Sequence, residues 1–202
     1  MYRQDIGITY PSYFSNDFEK KLLSEIEDDR LKLVLQREDA EMWNAIKWTV
    51  PGMVSTYIFR PYFEKFLQEA GSEHFTILKR CLSNILRKNK HAFTTSSSKS
   101  SNQANSRAIL FHIELKSGRI VKLLFDNSLS LDEWLTALDR LLDLVWKHYT
   151  EQASDELLEK LRQVKQHANF GIFATINQQT KEWEFLDLYS MLQQEKNALK
   201  SA

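Results

Sequence analysis

Seven Lys and Arg side chains (Lys79, Arg80, Arg87, Lys88, Lys90, Lys99 and Arg107) fall between positions 74 and 113, a stretch without one Asp or Glu. Cations gathered in this way suit an anionic partner. The other 162 residues hold 20 cations against 27 carboxylates, so the strip can equally fold back onto an acidic remainder. Groups suited to covalent or acid–base chemistry are placed less suggestively. Cys81 sits among apolar helical neighbours, where an inert buried thiol is expected. His74, His91, His112, His148 and His167 form no H-x-x-x-H or H-E-x-x-H pair that would hold a metal. There is no G-x-S-x-G elbow and, with five Gly, no phosphate-cradling loop. The carboxylate pairs Asp28-Asp29 and Asp155-Glu156 fall at a turn and in a first helical turn, where solvation and the helix dipole account for them. No catalytic, cofactor-binding or metal-binding residue is assigned, and no cofactor is expected.

The strip resolves into two objects. Ser72 to Lys90 reads as an amphipathic helix. Phe75, Leu78, Cys81, Leu82, Ile85 and Leu86 lie within roughly 140° of arc, and Lys79, Arg80, Arg87 and Lys90 within roughly 100° on the far side. Thr94 to Ser106 contains six Ser, two Thr, two Asn and one Gln, with Ala104 its one apolar residue; it reads as a disordered loop or linker. Three uses of the cations compete with plain solvation: a protein partner, an anionic membrane surface, and nucleic acid. A basic helix beside the charge-free aromatic run Trp48 to Phe59 suits an interfacial membrane binder. Nucleic acid is weaker, because Phe93 is the one stacking aromatic in the strip and the pI is about 7.0.

Two short resemblances accompany these readings. Glu114-Leu115-Lys116, at the end of an expected strand, resembles the E-x-K half of the metal-dependent PD-(D/E)xK nuclease motif. That resemblance implies Mg²⁺ at Glu114 and a water-positioning role for Lys116. The residue-level alternative is an exposed Glu followed by a turn Lys, and no carboxylate stands in the 40 residues upstream. The run Phe59-Arg60-Pro61-Tyr62-Phe63, through Gly71 to Leu78-Lys79, is similar to a segment of small bacterial proteins and implies no activity.

The elements that must position these groups follow from size and pattern. The chain has 202 residues, 43% hydrophobic, with twelve Phe, seven Tyr and five Trp, enough for one good core or two small ones. Few Gly and Pro favour helices with some strands. A single Cys excludes an internal disulfide and fits a reducing compartment. The first residues show no export leader. Trp48 to Phe59 would extend roughly 18 Å as a helix, short of the roughly 30 Å hydrocarbon core, so a buried or interfacial helix is expected there.

Along the chain, Ile6, Ile8 and Tyr10 alternate as a short strand, Ser15 or Asn16 caps a helix, and Leu31 to Leu35 suits a second strand. From Ala40 to Lys90 the pattern reads helical, punctuated at Pro51, Pro61 and the Gly71-Ser72 corner. Ile109 to Phe125 reads as a β-hairpin turning at Lys116-Ser117-Gly118, and Ser130 with Glu133 as a capping box. Two helices, a hairpin around Asn177 to Lys181 and a terminal helix complete the chain.

The expectation is an α+β protein. Its N-terminal half is helical with one or two short strands, and its C-terminal half runs ββ-αα-ββ-α around an antiparallel sheet. The units are 1–93, a Ser-rich segment 94–106, and 107–202. The function expected is a non-catalytic interaction or regulatory protein of a bacterial cytoplasm, binding a protein partner through Lys79, Arg80, Arg87, Lys88, Lys90, Lys99 and Arg107. The alternatives are a peripheral membrane protein and a divergent Mg²⁺-dependent nuclease at Glu114 and Lys116.

Overall fold

The computed structural model describes residues 5–12, 17, 19–20, 23–24, 33–38, 54–69, 71–94, 109–150, 155–164 and 171–201, and among these, period-two apolar runs and helical apolar faces lay out twelve fully described elements. In chain order they are β1 (Ile6–Pro11), β2 (Leu33–Glu38), β3 (Val54–Ile58), α1 (Arg60–Glu69), α2 (Gly71–Thr94), β4 (Ile109–Glu114), β5 (Ile120–Leu123), α3 (Leu131–Thr150), α4 (Glu156–Arg162), β6 (Ile172–Ile176), β7 (Trp183–Leu186) and α5 (Leu188–Ser201). Pro61 lies in the first turn of α1, where its missing N–H costs nothing, and Gly71 opens α2 directly after α1. Gly118 turns the β4–β5 hairpin at a φ of 77°, a conformation that glycine adopts without strain.

The seven strands form one sheet in the order β2-β1-β3-β4-β5-β6-β7. It is mixed: β1–β2, β3–β4 and β5–β6 run parallel, while β1–β3, β4–β5 and β6–β7 run antiparallel. Two parallel crossovers, β3 to β4 through α1 and α2 and β5 to β6 through α3 and α4, place four helices on one face. There Ile6, Ile8, Val54, Ile58, Phe111, Ile113, Val121, Leu123 and Ala174 meet Phe63, Leu82, Leu138 and Leu161 in one core. Phe125 contacts Phe111, Trp134 and Trp183, and both indole N–H groups find carbonyls, Trp134 at Asp126 (2.7 Å) and Trp183 at Ala137 (2.6 Å). α5 packs on the opposite face through Leu188 and Met191, against Leu110, Leu124 and Phe173.

This architecture corrects the expected fold class. The first half is not a helical unit with incidental strands: β1, β2 and β3 come first and supply nearly half of the sheet. The helix expected over Trp48 to Phe59 is, in its described part, the strand β3. Val54, Thr56 and Ile58 point to the core and Ser55 and Tyr57 to the other face, as their pairing with Ile109, Phe111 and Ile113 requires. Because β3 is central and flanked on both sides, four of its five residues are buried and the polar alternation that marks a strand is blurred. The antiparallel sheet expected for the second half is also absent as such. Its hairpins join through the parallel β5–β6 pair, and β4 joins β3 in parallel, Val54 beside Ile109. The expected N-terminal cap at Ser15 or Asn16, the acidic run 25–29, Trp43, Trp48, His167 and the Ser-rich segment beyond Thr94 lie outside the described residues.

Candidate functional site

The apolar face of α2 is spent on the core: Phe75, Leu78, Cys81, Leu82, Ile85 and Leu86 are all buried. Burial pushes the Cys81 thiol up to about 12, with the Arg80 cation opposing weakly, so no thiolate is available as a nucleophile. The helix then presents Glu73, Thr76, Arg80 and Arg87 outward, all exposed. Arg80 and Arg87 are seven residues apart, two turns along one stripe. Among the described residues no ion pair engages either guanidinium.

Lys79 behaves differently. It lies on the flank of α2 that meets α3, with Nζ 2.6 Å from Asp139 and 2.7 Å from Asp143 and 5.2 Å from the centre of the Phe75 ring. Burial pulls its pKa down, but the hydrogen bonds to both carboxylates outweigh that and hold it above the usual lysine value. One expected partner-binding cation is thus engaged within the molecule. Lys88 and Lys90 belong to the last turns of α2. Lys99 and Arg107 lie outside the described residues. The structure therefore brings Lys79, Arg80 and Arg87 onto one helix, and divides them between an internal contact and a surface stripe.

A second polar cluster forms where β4 ends. Glu114 Oε2 accepts the Arg60 backbone N–H at 2.9 Å, placing a carboxylate at the N-terminus of α1, where the helix dipole favours it. Arg60 Nη1 donates to the Lys116 carbonyl, and the Tyr149 hydroxyl donates to the Glu114 carbonyl at 2.8 Å. Lys116 Nζ stands 5.7 Å from the centre of the Tyr149 ring. Burial, then the nearby Glu114 and Glu64 carboxylates, keep the Tyr149 phenol protonated well above its usual value. Glu114 and Lys116 thus both serve the joint between β4, α1 and α3. Among the described residues no group of three or more His, Cys, Asp or Glu is placed to share a metal ion.

Beside this joint, His148 Nδ1 lies 2.5 Å from Asp155 Oδ2, the orienting half of a base–acid pair. The other ring nitrogen decides its use. His148 Nε2 accepts the Lys116 backbone N–H at 3.3 Å, so the proton sits on Nδ1 and is donated to Asp155. No lone pair is left for activating a nucleophile. Asp155 Oδ1 meanwhile accepts from Leu158 N and caps α4. The pair ties the start of α4 to α3 and, through the Lys116 N–H, to the β4–β5 turn.

The His148–Asp155 and Lys79–Asp139–Asp143 contacts were missed at the level of sequence. The seven-residue spacing of 148 and 155 crosses a helix boundary, and 79 and 139 lie in different crossovers. Asp139 and Asp143, four apart on α3, were the one available sign of a carboxylate stripe. No helix among the described residues is long and apolar enough to cross a membrane. No protein-family model matches the chain, and no curated protein and no solved structure matches it.

Proposed function

We propose that this protein is a non-catalytic interaction protein whose outer α2 stripe meets a protein partner bearing carboxylates. The observation that carries the reading is the division of α2: its apolar face is inside the core, and Arg80 and Arg87 stand exposed two turns apart without an ion pair among the described residues. Guanidinium groups held on a rigid helix suit bidentate pairing with carboxylates. Lys88 and Lys90 extend the same helix.

A protein partner suits this surface better than a polyanion or a bilayer. Asp139 and Asp143 are exposed on α3 beside the stripe and share one lysine, so the face is mixed in sign. A phosphate polymer would be repelled by those carboxylates, whereas a protein surface can match both signs. Interfacial lipid binding needs apolar side chains next to the cations, and those of α2 point into the core.

The test is quantitative affinity capture with the full chain at low and high salt. A stoichiometric protein partner should be recovered at low salt and released as salt rises. R80E/R87E should weaken that association at least tenfold, about 1.4 kcal/mol, without moving the melting temperature. Recovery of no stoichiometric partner at low salt, or a partner indifferent to the double substitution, rules the reading out.

A further inference from the structure

On the sheet face opposite α1–α4, a row of residues crosses six strands in register: Gly7, Tyr57, His112, Lys122, Phe173 and Leu186. Its β6–β7 end is covered by α5. At its centre the His112 ring stacks on Tyr57, centroids 4.1 Å apart and planes within 10°. His112 is 6% exposed, and its Nε2 is buried without a hydrogen-bond partner among the described residues. A buried ring nitrogen in that state forgoes an interaction it would have in water.

The neighbouring strand position holds a cation, Lys122. Lys122 is half-buried, with Nζ 5.3 Å from the centre of the Phe173 ring. Its stem runs over Gly171, where a Cβ would come within 3.3 Å of Lys122 Cε and 2.9 Å of the Ile120 carbonyl oxygen. Among the described residues no carboxylate pairs with it. Two carboxylates of the same face are committed elsewhere: Glu114 accepts from Arg60 N, and Glu184 from the Asn177 side-chain amide. Burial lowers the lysine's pKa, and burial followed by the Lys122 cation holds His112 neutral, down to about 3. A half-buried ammonium without a counter-ion is costly, and the cost is relieved if an anion arrives.

We infer that Lys122 and His112 form a binding site for a single oxyanion group, a carboxylate or a phosphate, on the sheet face remote from α2. Lys122 supplies the charge. The neutral imidazole supplies its Nε2, unpartnered among the described residues, as an N–H donor. Tyr57 and Phe173 wall the site on either side, and one cation with one neutral donor matches one oxyanion rather than a polyanion. The inference is independent of the α2 stripe, which lies beyond the sheet on the other face.

The full chain is titrated with sodium phosphate and, separately, with sodium acetate, against sodium chloride at matched ionic strength, following the melting temperature and the His112 ring signals by NMR. At least one anion should raise the melting temperature, by about 4 °C at ten times its Kd, and should move the His112 signals saturably. A response to phosphate alone assigns a phosphate ligand, and a response to acetate a carboxylate. Lys122→Met should abolish the response while leaving the anion-free protein at least as stable, since it removes an uncompensated cation. His112→Phe, which keeps an aromatic ring against Tyr57 but no donor, should weaken binding at least tenfold. The site is refuted if neither anion moves the His112 signals saturably, if that response survives Lys122→Met, or if anion-free Lys122→Met melts lower than the parent.

Discussion

At the scale of single residues, most groups with chemical potential are occupied by the fold. Glu133 shows how strongly a local contact can bind a charge. Its Oε2 accepts the Ser130 N–H at 2.8 Å and the Ser130 hydroxyl at 2.9 Å, Ser130 Oγ accepts Glu133 N–H, and Lys181 Nζ lies 3.0 Å from Oε1. The Ser130 backbone hydrogen bond, then Lys181 and the Ser130 hydroxyl, lower the Glu133 carboxyl to about 2. A depressed folded-state pKa contributes stability above the unfolded value, about 4.3, and loses it as pH falls through the folded one. The urea midpoint of the parent should therefore exceed that of Glu133→Gln by a constant margin above about pH 5, shrinking to near zero by about pH 2. A margin independent of pH would mean that the cap works without its charge. This reciprocal cap was legible in the sequence, because its partners are three residues apart. His148–Asp155 was not, because its meaning depends on a main-chain N–H from Lys116, remote in sequence.

At the scale of elements, α2 is the informative case. Its two faces were readable from helical periodicity, and the six apolar positions expected to face inward are buried. What periodicity left open was the neighbour on its flank, and α3 supplies Asp139 and Asp143 there. The contrast between the faces is measurable within one helix. Leu82→Ala, at a fully buried position, should cost about 2–5 kcal/mol in urea denaturation. Arg80→Ala, at an exposed one, should stay within about 0.5 kcal/mol. Similar losses at both positions would place Arg80 in a structural contact and remove it from the surface stripe. β3 is the opposite case. Its five residues look like part of an apolar helix because both faces are covered, and its partners β1 and β4 stand far from it in the chain.

At the scale of the whole molecule, neutrality of net charge conceals a segregation that folding partly undoes. Lys79 from the basic stretch meets carboxylates of α3, and Arg140 with Glu182 and Lys181 with Glu133 pair further charges across the second half. The sheet also draws on both halves, with β3 and β4 side by side at its centre. Ile58→Ala in β3 and Leu141→Ala in α3 should accordingly each shift one common unfolding transition, with far-ultraviolet and tryptophan signals superimposing. Two separated transitions, each moved by one substitution, would show that the halves unfold independently.

The sequence by itself determined what depends on neighbours within a turn or two: the β4–β5 hairpin at Gly118, the Ser130–Glu133 cap, the α1–α2 corner at Gly71 and the inward face of α2. These follow from dihedral preference and from apolar spacing, which act locally. Only the tertiary structure decided that three early strands join the sheet, that Lys79 turns to α3, and that His112, its Nε2 unpartnered among the described residues, lies beside Lys122. Parallel pairing and buried charge balance bring together residues tens of positions apart. No local preference encodes which distant group will arrive, or whether one arrives at all.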